Sequence, residues 1–590
     1  MVIFGLHVLI WVVLILYFAG VLLLGWWSKR EIKGQEGYLL GNRQFGTLMM
    51  VMHAFGAGTH PGNAAGVVTA TVARGVSGIW VSWMWLFGTP FYWLIAPVVR
   101  RMRYLTMADF YEKRFGKAAS ILYIIVASAG MIVFLGGVLL ATTRTVQGMM
   151  GKAATVTSTA VSPIDAEALS EVPAADGLSA ERGDGYVSQK ESDLWFFGIL
   201  LVSTAVFIVY SYWGGIIAAI RTDMIQGLMI IALSFIAIPA ALRLQEVGGM
   251  RGLLDTLAAQ ESANASILRL FDPQSFNIWT VLLLCINAPL TALAFPHLIS
   301  VCGAGKTEWQ GRVGFTYGNV LKRVCTIGWS VLGLAWLVYL INSGVPVNAE
   351  TAFGDSIRRL LPPVLQGVML ACVMAAAMSS GDAVQVTVAG LFSQNLYRVY
   401  VNPQASEQQL VRFTRFVGVG IALVGLILAI LMRSSIVKAL LDYFNILSLI
   451  GVCTAMGILW RRTNTTGVFA GAILAVGSFV VTRYICDCSR AVTIGIPILM
   501  GVLGGVTGSL LTAPSQPERV EEFFKRIYTP IGAEDRLKLS LDEVVPAQNR
   551  LTTAGGLFIV RPSLQSVVGF VITLAICLAC VAVMMALLKL

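Results

Sequence analysis

Two adjacent serines in the second half of the chain are the first residues that could carry chemistry. Ser379 and Ser380 end a run of small and apolar residues that begins at Leu370. Sodium is a hard cation that prefers oxygen ligands, so two hydroxyls beside free backbone carbonyls would suit it. Serine hydroxyls can instead bond back to their own helix. The pair therefore predicts a sodium site only where a second segment brings carbonyl oxygens to it.

A glycine-rich segment could supply those carbonyls. Residues 56–63 read Gly-Ala-Gly-Thr-His-Pro-Gly-Asn and fall inside an apolar run, residues 47–73. Three glycines and a proline so close together should unwind a helix and free its carbonyl oxygens. Irregular backbone at membrane depth is tolerated only inside protein or beside a water-filled cavity. We therefore expect the carbonyls of residues 56–59 to complete a sodium cage with the two serines.

A second apolar run is interrupted in the same way. Residues 277–301 contain Pro289 and Pro296 and lie five predicted helices after the first interrupted run. Glycine and proline are common in membrane helices, so one interruption alone would mean little. Two interruptions at matching positions of two halves indicate an inverted-repeat transporter, in which ion and solute bind where the half-helices meet.

Two acidic residues lie in otherwise apolar surroundings. Asp223 comes at the start of one apolar run and Asp382 directly follows the serine pair and a glycine. An ionisable side chain within a membrane is costly and usually functional, so both are candidates for the ion pathway. The alternative for Asp223 is an interfacial ion pair with Arg221.

Three of the four histidines lie on the interrupted segments, at His53, His60 and His297. A neutral histidine can hydrogen-bond a polar solute, and a protonated one can hold a carboxylate. The alternative is that these side chains cap backbone groups freed by the interruptions. His60 and the nearby Asn63 are the preferred candidates for contact with a solute.

The whole chain has the composition of a protein that lives in a lipid bilayer. Of its 590 residues, 57% are hydrophobic and only 12% are charged, whereas soluble proteins average about 25% charged. Long apolar runs without alternation predict helices rather than barrel strands. The net charge of +11 is explained by basic residues in short loops on one side, so nucleic acid is excluded as a partner. We predict an all-α polytopic membrane protein with about fourteen spans, at residues 9–27, 47–73, 78–98, 119–142, 194–212, 215–242, 277–301, 318–342, 363–389, 412–432, 436–460, 466–484, 492–512 and 565–588.

The distribution of charge predicts how the chain crosses the membrane. Basic residues follow the first apolar run, which reads as a retained helix rather than a cleaved signal peptide, and this puts the N-terminus outside. Arg100, Arg114, Lys322 and Arg323 are assigned to inside loops on the same argument. The C-terminus is then also outside, and the plasma (inner) membrane is the expected location. The predicted units are 1–46 with the first helix, 47–242 as a first repeat with an acidic outside insertion at 150–192, 277–460 as a second repeat, 461–512 with two further helices, 513–564 as an inside segment with a surface helix at 519–528, and 565–590 with the last helix.

At four places the chain resembles the sodium:solute symporter family, which includes sodium/glucose, proline and pantothenate carriers. The similar stretches are residues 38–43, Tyr-Leu-Leu-Gly-Asn-Arg; 100–116, with a basic pair and Arg-Phe-Gly; 210–226, with a glycine pair and Thr-Asp-Met-Ile-Gln; and 375–382, Ala-Ala-Ala-Met-Ser-Ser-Gly-Asp. The resemblance implies the leucine-transporter fold, with two inverted repeats of five helices. It also implies a sodium ion held by Ser379, Ser380 and the carbonyl of Ala376 on one side, and by carbonyls near Gly56 and Thr59 on the other.

The resemblance does not extend to the solute. Where sugar carriers place a glutamine and a glutamate in the first two core helices, this chain offers His60, Asn63 and a group of tryptophans that includes Trp83. The gate aromatics of the sixth core helix are replaced by a stretch that contains Thr291, and Phe295 precedes a Pro-His pair. These five residues are the candidates for solute contact, with no substrate implied.

The expected function is sodium-coupled symport of a small organic solute by alternating access. Two alternatives stay open: a proton-coupled symporter with His60 or Asp382 as proton carrier, and a solute sensor that signals through residues 513–564. An enzyme is disfavoured, because the chain offers no nucleophile–base pair, phosphate-binding loop or metal-ligand spacing. The expected partners are the solute, sodium and the bilayer, and no obligate protein partner is evident.

Overall fold

A computed structural model describes residues 1–28, 34–153, 187–213, 216–261, 267–273, 276–345 and 348–588. Helices dominate these residues, and two short antiparallel pairs, β1 with β2 and β3 with β4, are the strands. The strands are β1 Val2–Ile3, β2 Leu6–His7, β3 Arg550–Thr552 and β4 Ile559–Val560. The helices are α1 Val8–Ser28, α2 Gly34–Leu40, α3 Thr47–Gly58, α4 Pro61–Arg74, α5 Trp80–Trp83, α6 Tyr92–Met102, α7 Met107–Phe115, α8 Lys117–Met149, α9 Gln189–Trp213, α10 Ile216–Leu242, α11 Gly249–Glu261, α12 Ile278–Ala294, α13 Leu298–Gly303, α14 Glu308–Ser343, α15 Ala352–Leu360, α16 Pro363–Leu391, α17 Glu407–Leu431, α18 Ile436–Leu459, α19 Thr465–Val480, α20 Arg490–Leu511, α21 Pro517–Tyr528, α22 Leu541–Val544 and α23 Leu564–Leu588.

The predicted helical membrane architecture is confirmed, but the number of fourteen spans is not. Within the described ranges, eleven helices are long and apolar enough to cross a bilayer. Three shorter apolar helices accompany them: Val8–Leu24, Thr47–Gly58 and Ile278–Ala294. Two of these, Thr47–Gly58 and Ile278–Ala294, are halves of interrupted helices, so each is too short to cross a bilayer by itself.

Several predicted boundaries differ from the structure. The predicted span 78–98 is not one helix, because α5 and α6 are separated by turns that include Pro90. Helix α14 begins ten residues before the predicted start, where the backbone N–H of Thr307 donates to Gln310 Oε1 at 2.8 Å and caps the helix. The insertion predicted at 150–192 falls mostly on residues 154–186, which lie outside the described residues. The surface helix predicted at 519–528 is confirmed as α21.

The first interruption is narrower than predicted and is set by a proline rather than by the glycines. Residues 56–58 remain helical in α3, and the break consists of Thr59 (φ −117°, ψ 98°) and His60 (φ −107°, ψ 164°). The residue before a proline avoids the helical region, and Pro61 itself is well placed at the first position of α4. The second interruption follows the same rule, because Phe295 is extended (φ −60°, ψ 123°) directly before Pro296.

The helices on either side of these breaks pack in a reciprocal pattern. The broken helix α3–α4 packs on α10 through α3, and the broken helix α12–α13 packs on α18 through α12. Helix α8 packs on α18, while its counterpart α16 packs on α10. Such an exchange is expected of two five-helix units related by a pseudo-two-fold axis. The two breaks and the helix α16 with the serine pair are thereby brought to the centre of the molecule.

A strap formed by residues 517–560 covers one end of the helices. The apolar face of α21 is buried through Val520, Phe523, Phe524 and Ile527, and Phe523 packs on Phe110 of α7 with ring centroids 5.3 Å apart. The β3–β4 hairpin of the strap attaches to the end of α18, where Trp460 Nε1 donates to the carbonyl of Gly555 at 2.7 Å. The strap therefore connects elements of both units.

Candidate sodium and solute site

The end of α3 and the middle of α16 meet through the residues expected to bind sodium. The hydroxyl of Ser380 donates to the carbonyl oxygen of Gly56 at 3.3 Å, and the backbone N–H of Thr59 donates to the same oxygen at 3.1 Å. A Cβ atom on Gly56 would lie only 2.8 Å from Ser379 Oγ. The close approach of the two helices therefore requires a glycine at this position.

Asp223 of α10 completes this cluster. Its carboxylate is fully buried and accepts a hydrogen bond from the Ser379 hydroxyl through Oδ1. Its other oxygen lies 2.7 Å from Nδ1 of His53 in α3. The alternative of an interfacial pair with Arg221 is wrong, because the Arg221 guanidinium lies 4.8 Å from the Trp27 ring and Asp223 faces the protein interior. His53 was missed as a partner, although it lies one turn before Gly56 and so shares its face.

The other predicted ion-site residues take different positions. Ala376 is buried in α16, one turn before the serines, so its carbonyl lies on their side of the helix. Thr59 is 1% exposed, and among the residues described its hydroxyl has no hydrogen-bond partner. Asp382 is also 1% exposed and lies in α16, two residues after Ser380.

A lysine of α14 contacts the C-terminal end of α3, where the sequence predicts no charged group. Lys322 lies well inside α14 and is only 5% exposed, and its ammonium donates to the carbonyl oxygen of Gly58. Its assignment to an inside loop, together with Arg323, is therefore wrong. Apolar runs outline only the part of a helix that can face lipid, and α14 is buried in protein on most sides. Arg100 and Arg114, also assigned to the inside surface, are likewise buried.

His60 and Asn63, the two preferred solute residues, have different roles in the structure. The Asn63 side chain accepts a hydrogen bond from the His60 backbone N–H at 3.1 Å and so caps α4. The His60 ring lies 4.7 Å from the Phe134 ring and 6.4 Å from the Tyr443 ring. Both of its nitrogens are buried without a partner in the part of the chain that is described. His60 thus stays available to a ligand, whereas the oxygen of Asn63 is occupied by the backbone.

The two aromatic candidates have different neighbours, because Phe295 packs on Trp85 and Trp83 contacts α14. Trp83 Nε1 donates to the carbonyl of Arg323 at 3.1 Å, which ties it to α14. Trp85 instead stacks on Phe295 with ring centroids 5.6 Å apart, and its edge contacts Phe444 of α18 at 4.7 Å. Only Met84 lies between Trp83 and Trp85, and the two tryptophans contact different helices because the chain turns between α5 and α6.

Thr291 joins the second broken helix to α18. Its hydroxyl donates to the carbonyls of Asn287, at 3.0 Å, and Phe444, at 3.1 Å. Tyr443, which precedes Phe444 in α18, packs its ring against the ring of His60. Helix α18 therefore connects the surroundings of the two breaks, and Thr291 contributes to this connection rather than leaving its hydroxyl free.

One family model and several known transporters match this chain. The family model for the sodium:solute symporter family matches residues 38–160 and 195–475. The osmoregulated proline transporter OpuE of Bacillus subtilis is 24% identical over 511 residues, which cover 84% of this chain and 94% of that protein. The sodium/proline symporter of Escherichia coli is 23% identical over 487 residues, covering 79% and 86% of the two chains. The sodium/myo-inositol cotransporter 2 of Rattus norvegicus is 22% identical over 528 residues, covering 79% and 68%.

The fold is shared with a solved structure. A sodium-coupled sialic acid symporter, solved in a substrate-bound outward-open state, matches with a TM-score of 0.68 at 16% identity. The match covers 86% of this chain and 98% of that one. The predicted leucine-transporter-like fold is therefore confirmed. Because the family model matches most of the chain, including both interrupted helices and the serine pair, this protein belongs to the sodium:solute symporter family.

Proposed function

We propose that the sodium ion carried by this symporter binds between the end of α3 and the middle of α16. The hydrogen bond from Ser380 to the Gly56 carbonyl is the observation that carries this proposal, because it brings a hydroxyl and a carbonyl of the predicted cage into contact. The expected ligands are oxygen atoms of Gly56, Thr59, Ala376, Ser379 and Ser380. Asp223, held by Ser379 and His53, would balance the charge of the ion.

One sodium ion per cycle would suffice for concentrative uptake. Moving one charge through 100 mV is worth about 2.3 kcal/mol, and a tenfold sodium gradient adds about 1.4 kcal/mol. Together these would concentrate a neutral solute by roughly several hundredfold. The movement of one sodium ion through a single site is therefore enough to drive transport, and a second sodium site is not required.

We propose that the solute binds beside the break, against His60 and the aromatic side chains around it. The orphaned nitrogens of His60 and the stacked pair of Trp85 and Phe295 support this position. The relatives are named for proline and myo-inositol, so L-proline and myo-inositol are the first solutes to test. Alternating access would expose this position to one side of the membrane at a time.

Sodium binding can be tested by thermal stabilisation of the detergent-purified protein. A ligand that binds only the folded state raises stability by RT ln(1 + [L]/Kd). We expect sodium, but not potassium or choline, to raise the melting temperature of the wild type. Ser380→Ala should weaken this effect at least tenfold in sodium concentration. Ser478→Ala is the matched control, because that hydroxyl bonds only to carbonyls of its own helix, α19.

The outcomes separate sodium from other coupling ions. A sodium-specific shift that persists in Ser380→Ala would move the site away from α16. No sodium-specific shift at all would contradict the proposed site, and the proton alternative through His60 or Asp382 would then be tested across pH.

We assign no signalling role to residues 513–564, since α21 and the hairpin pack onto the transporter helices.

We further propose that the protein lies in the plasma (inner) membrane with both termini outside. The two repeats would span residues 47–242 and 277–460, each beginning with a broken helix. The reciprocal packing of α8 on α18 and of α16 on α10 supports this division.

A further inference from the structure

The break between α3 and α4 contains polar groups that take no part in the contacts among Gly56, Ser379, Ser380 and Asp223, the proposed sodium cluster. The hydroxyl of Thr59 and both ring nitrogens of His60 are buried, and each residue is 1% exposed. Across the ranges that the structure covers, none of these three atoms has a hydrogen-bond partner. Buried polar atoms are normally paired, so three orphans in two consecutive residues indicate a position for a ligand.

Lys322 adds a positive charge to the same place. Its ammonium has three donors, and the carbonyl of Gly58, next to Thr59 in the chain, accepts one of them. Among the described residues, no aspartate or glutamate forms an ion pair with Lys322, and the buried carboxylate of Asp223 pairs with His53 instead. No carboxylate of the described chain thus balances this buried charge. An unpaired buried charge is costly, so a negative ligand would relieve it.

Arg323 does not compete for that ligand. Its guanidinium donates to the carbonyl of Ser82 at 3.2 Å and to the hydroxyl of Thr89 at 3.3 Å, so it points to the α5–α6 region. Helix α4, by contrast, begins at the break with Pro61 at its first position. The start of a helix carries a partial positive charge, and half-helix starts in such transporters point at anionic groups of the substrate.

We propose that the break binds the carboxylate group of the transported solute, with Lys322 as its counter-ion and Thr59 and His60 as hydrogen-bond donors. This proposal rests on the proposed function, because it places the solute beside the same break. The rings of Phe134 and Tyr443, which flank His60, would pack against the body of the solute. A cationic solute would meet Lys322, and a neutral polyol would leave its charge unbalanced.

The position also accounts for coupling between ion and solute. Thr59 would offer its carbonyl to sodium and its hydroxyl to the carboxylate, so both ligands order the same two extended residues. Each ligand then lowers the cost of binding the other, and linkage makes this effect reciprocal. Sodium should therefore raise the apparent affinity for a carboxylate, and a carboxylate should raise that for sodium.

The experiment compares small carboxylates with their own amides. Thermal stabilisation of the purified full-length protein in sodium buffer would be measured with L-alanine and L-alaninamide, butyrate and butyramide, and lactate and lactamide. We expect at least one acid to stabilise the wild type at a tenfold lower concentration than its amide. Lys322→Met should lose this preference but keep the sodium shift. Lys438→Met, an exposed lysine at the start of α18, is the matched control and should behave as the wild type.

Each result decides between the two proposals. Three outcomes would overturn the carboxylate site: equal effects of acids and amides on the wild type, no effect of any acid, or an unchanged preference in Lys322→Met. If sodium still raised the melting temperature in these cases, the sodium site would stand. Absence of the sodium shift in the wild type would instead overturn the proposed function. Should Lys322→Met not fold, His60→Ala removes both orphaned nitrogens without touching the lysine. It must then weaken the carboxylate effect at least tenfold, or the proposal fails.

Discussion

Gly56 is the residue on which the proposed sodium site depends most directly, because it lets α3 approach α16 and α10 together. A Cβ atom there would lie 2.8 Å from Ser379 Oγ and 3.0 Å from Asp223 Oδ1. Gly56→Ala should therefore push apart the hydroxyl and the carboxylate that the sodium ion needs. We expect the sodium concentration for half-maximal thermal stabilisation or solute uptake to rise at least tenfold.

A matched glycine separates this effect from a general change in helix stability. Gly198 of α9 is also helical, and a Cβ atom there would meet nothing within 4 Å. Gly198→Ala should leave sodium dependence unchanged and should not lower the melting temperature, since alanine favours helix more than glycine does. An unchanged sodium dependence in Gly56→Ala would show that the ion does not bind at this contact.

The contact between Gly56 and the serine pair could be predicted from sequence, but the direction of many side chains could not. Gly56, Ser379 and Ser380 come together as expected, and Asp223, predicted only as an acid of the ion pathway, joins them through Ser379. His53 and His60 are seven residues apart, a spacing that would put both on one face of an unbroken helix. The break at residues 59–60 turns the chain between them, so His53 reaches Asp223 while His60 reaches Phe134. Such a turn depends on the exact dihedral angles, which residue types alone do not fix.

At the scale of helices and strands, prolines placed the breaks more accurately than glycines did. Glycine permits many conformations, but a proline forbids helix at the residue before it. Helix α12 shows that the surroundings also matter, because Pro289 remains inside it while Pro296 ends it. Lys322 shows a further limit. Hydropathy alone favours a lysine in a loop, whereas Lys322 is buried well inside α14 and donates to the carbonyl of Gly58.

The strap depends on one arginine for its attachment beside α6. The guanidinium of Arg103 donates to the carbonyls of Arg526 at 3.3 Å, Thr529 at 3.2 Å and Pro530 at 2.9 Å, at the end of α21. These carbonyls lie at and just beyond the C-terminal end of the helix, where a cation suits the helix dipole. Each bond is worth about 1 kcal/mol net. Arg103→Ala should therefore speed hydrogen exchange across α21 roughly tenfold or more without changing sodium affinity.

Glu534 provides the control and a dependence on pH. Its exposed carboxylate accepts from Arg103 at 3.1 Å, and the backbone N–H of Gly532 together with this guanidinium lowers the pKa of Glu534. A lowered pKa means that the carboxylate stabilises the strap at neutral pH and that this contribution is lost as pH falls through the lowered value. Glu534→Gln should reduce protection of α21 less than Arg103→Ala and should remove that acid sensitivity. Equal exchange in wild type and Arg103→Ala would show that the apolar face of α21 alone holds the strap.

At the scale of the whole molecule, basic residues and the strap mark one end. Arg103 contacts α21, Arg114 donates to the carbonyl of Arg461 at 3.1 Å, and the backbone N–H of Arg461 donates to Gly556 at 2.9 Å. Basic residues accumulate on the cytoplasmic side of membrane proteins. Helix α19 starts beside this end, and the helical segment Thr465–Ile485 is 21 residues long, enough to cross the bilayer. The loop that follows it would then lie at the opposite end, which is the outer end in the proposed orientation.

That loop carries a natural probe of orientation, because Cys486 is exposed and Cys488 is half-buried. Of the nine cysteines, the remaining seven are buried or partly buried, at positions 285, 302, 325, 372, 453, 577 and 580. If both termini are outside, a membrane-impermeant maleimide should label intact cells that make the wild-type protein. The double variant Cys486→Ser/Cys488→Ser should lose at least nine-tenths of this labelling while keeping sodium-dependent stabilisation. Labelling that appears only after the membrane is permeabilised would invert the proposed orientation, and the strap would then face outward with the basic end of the helices.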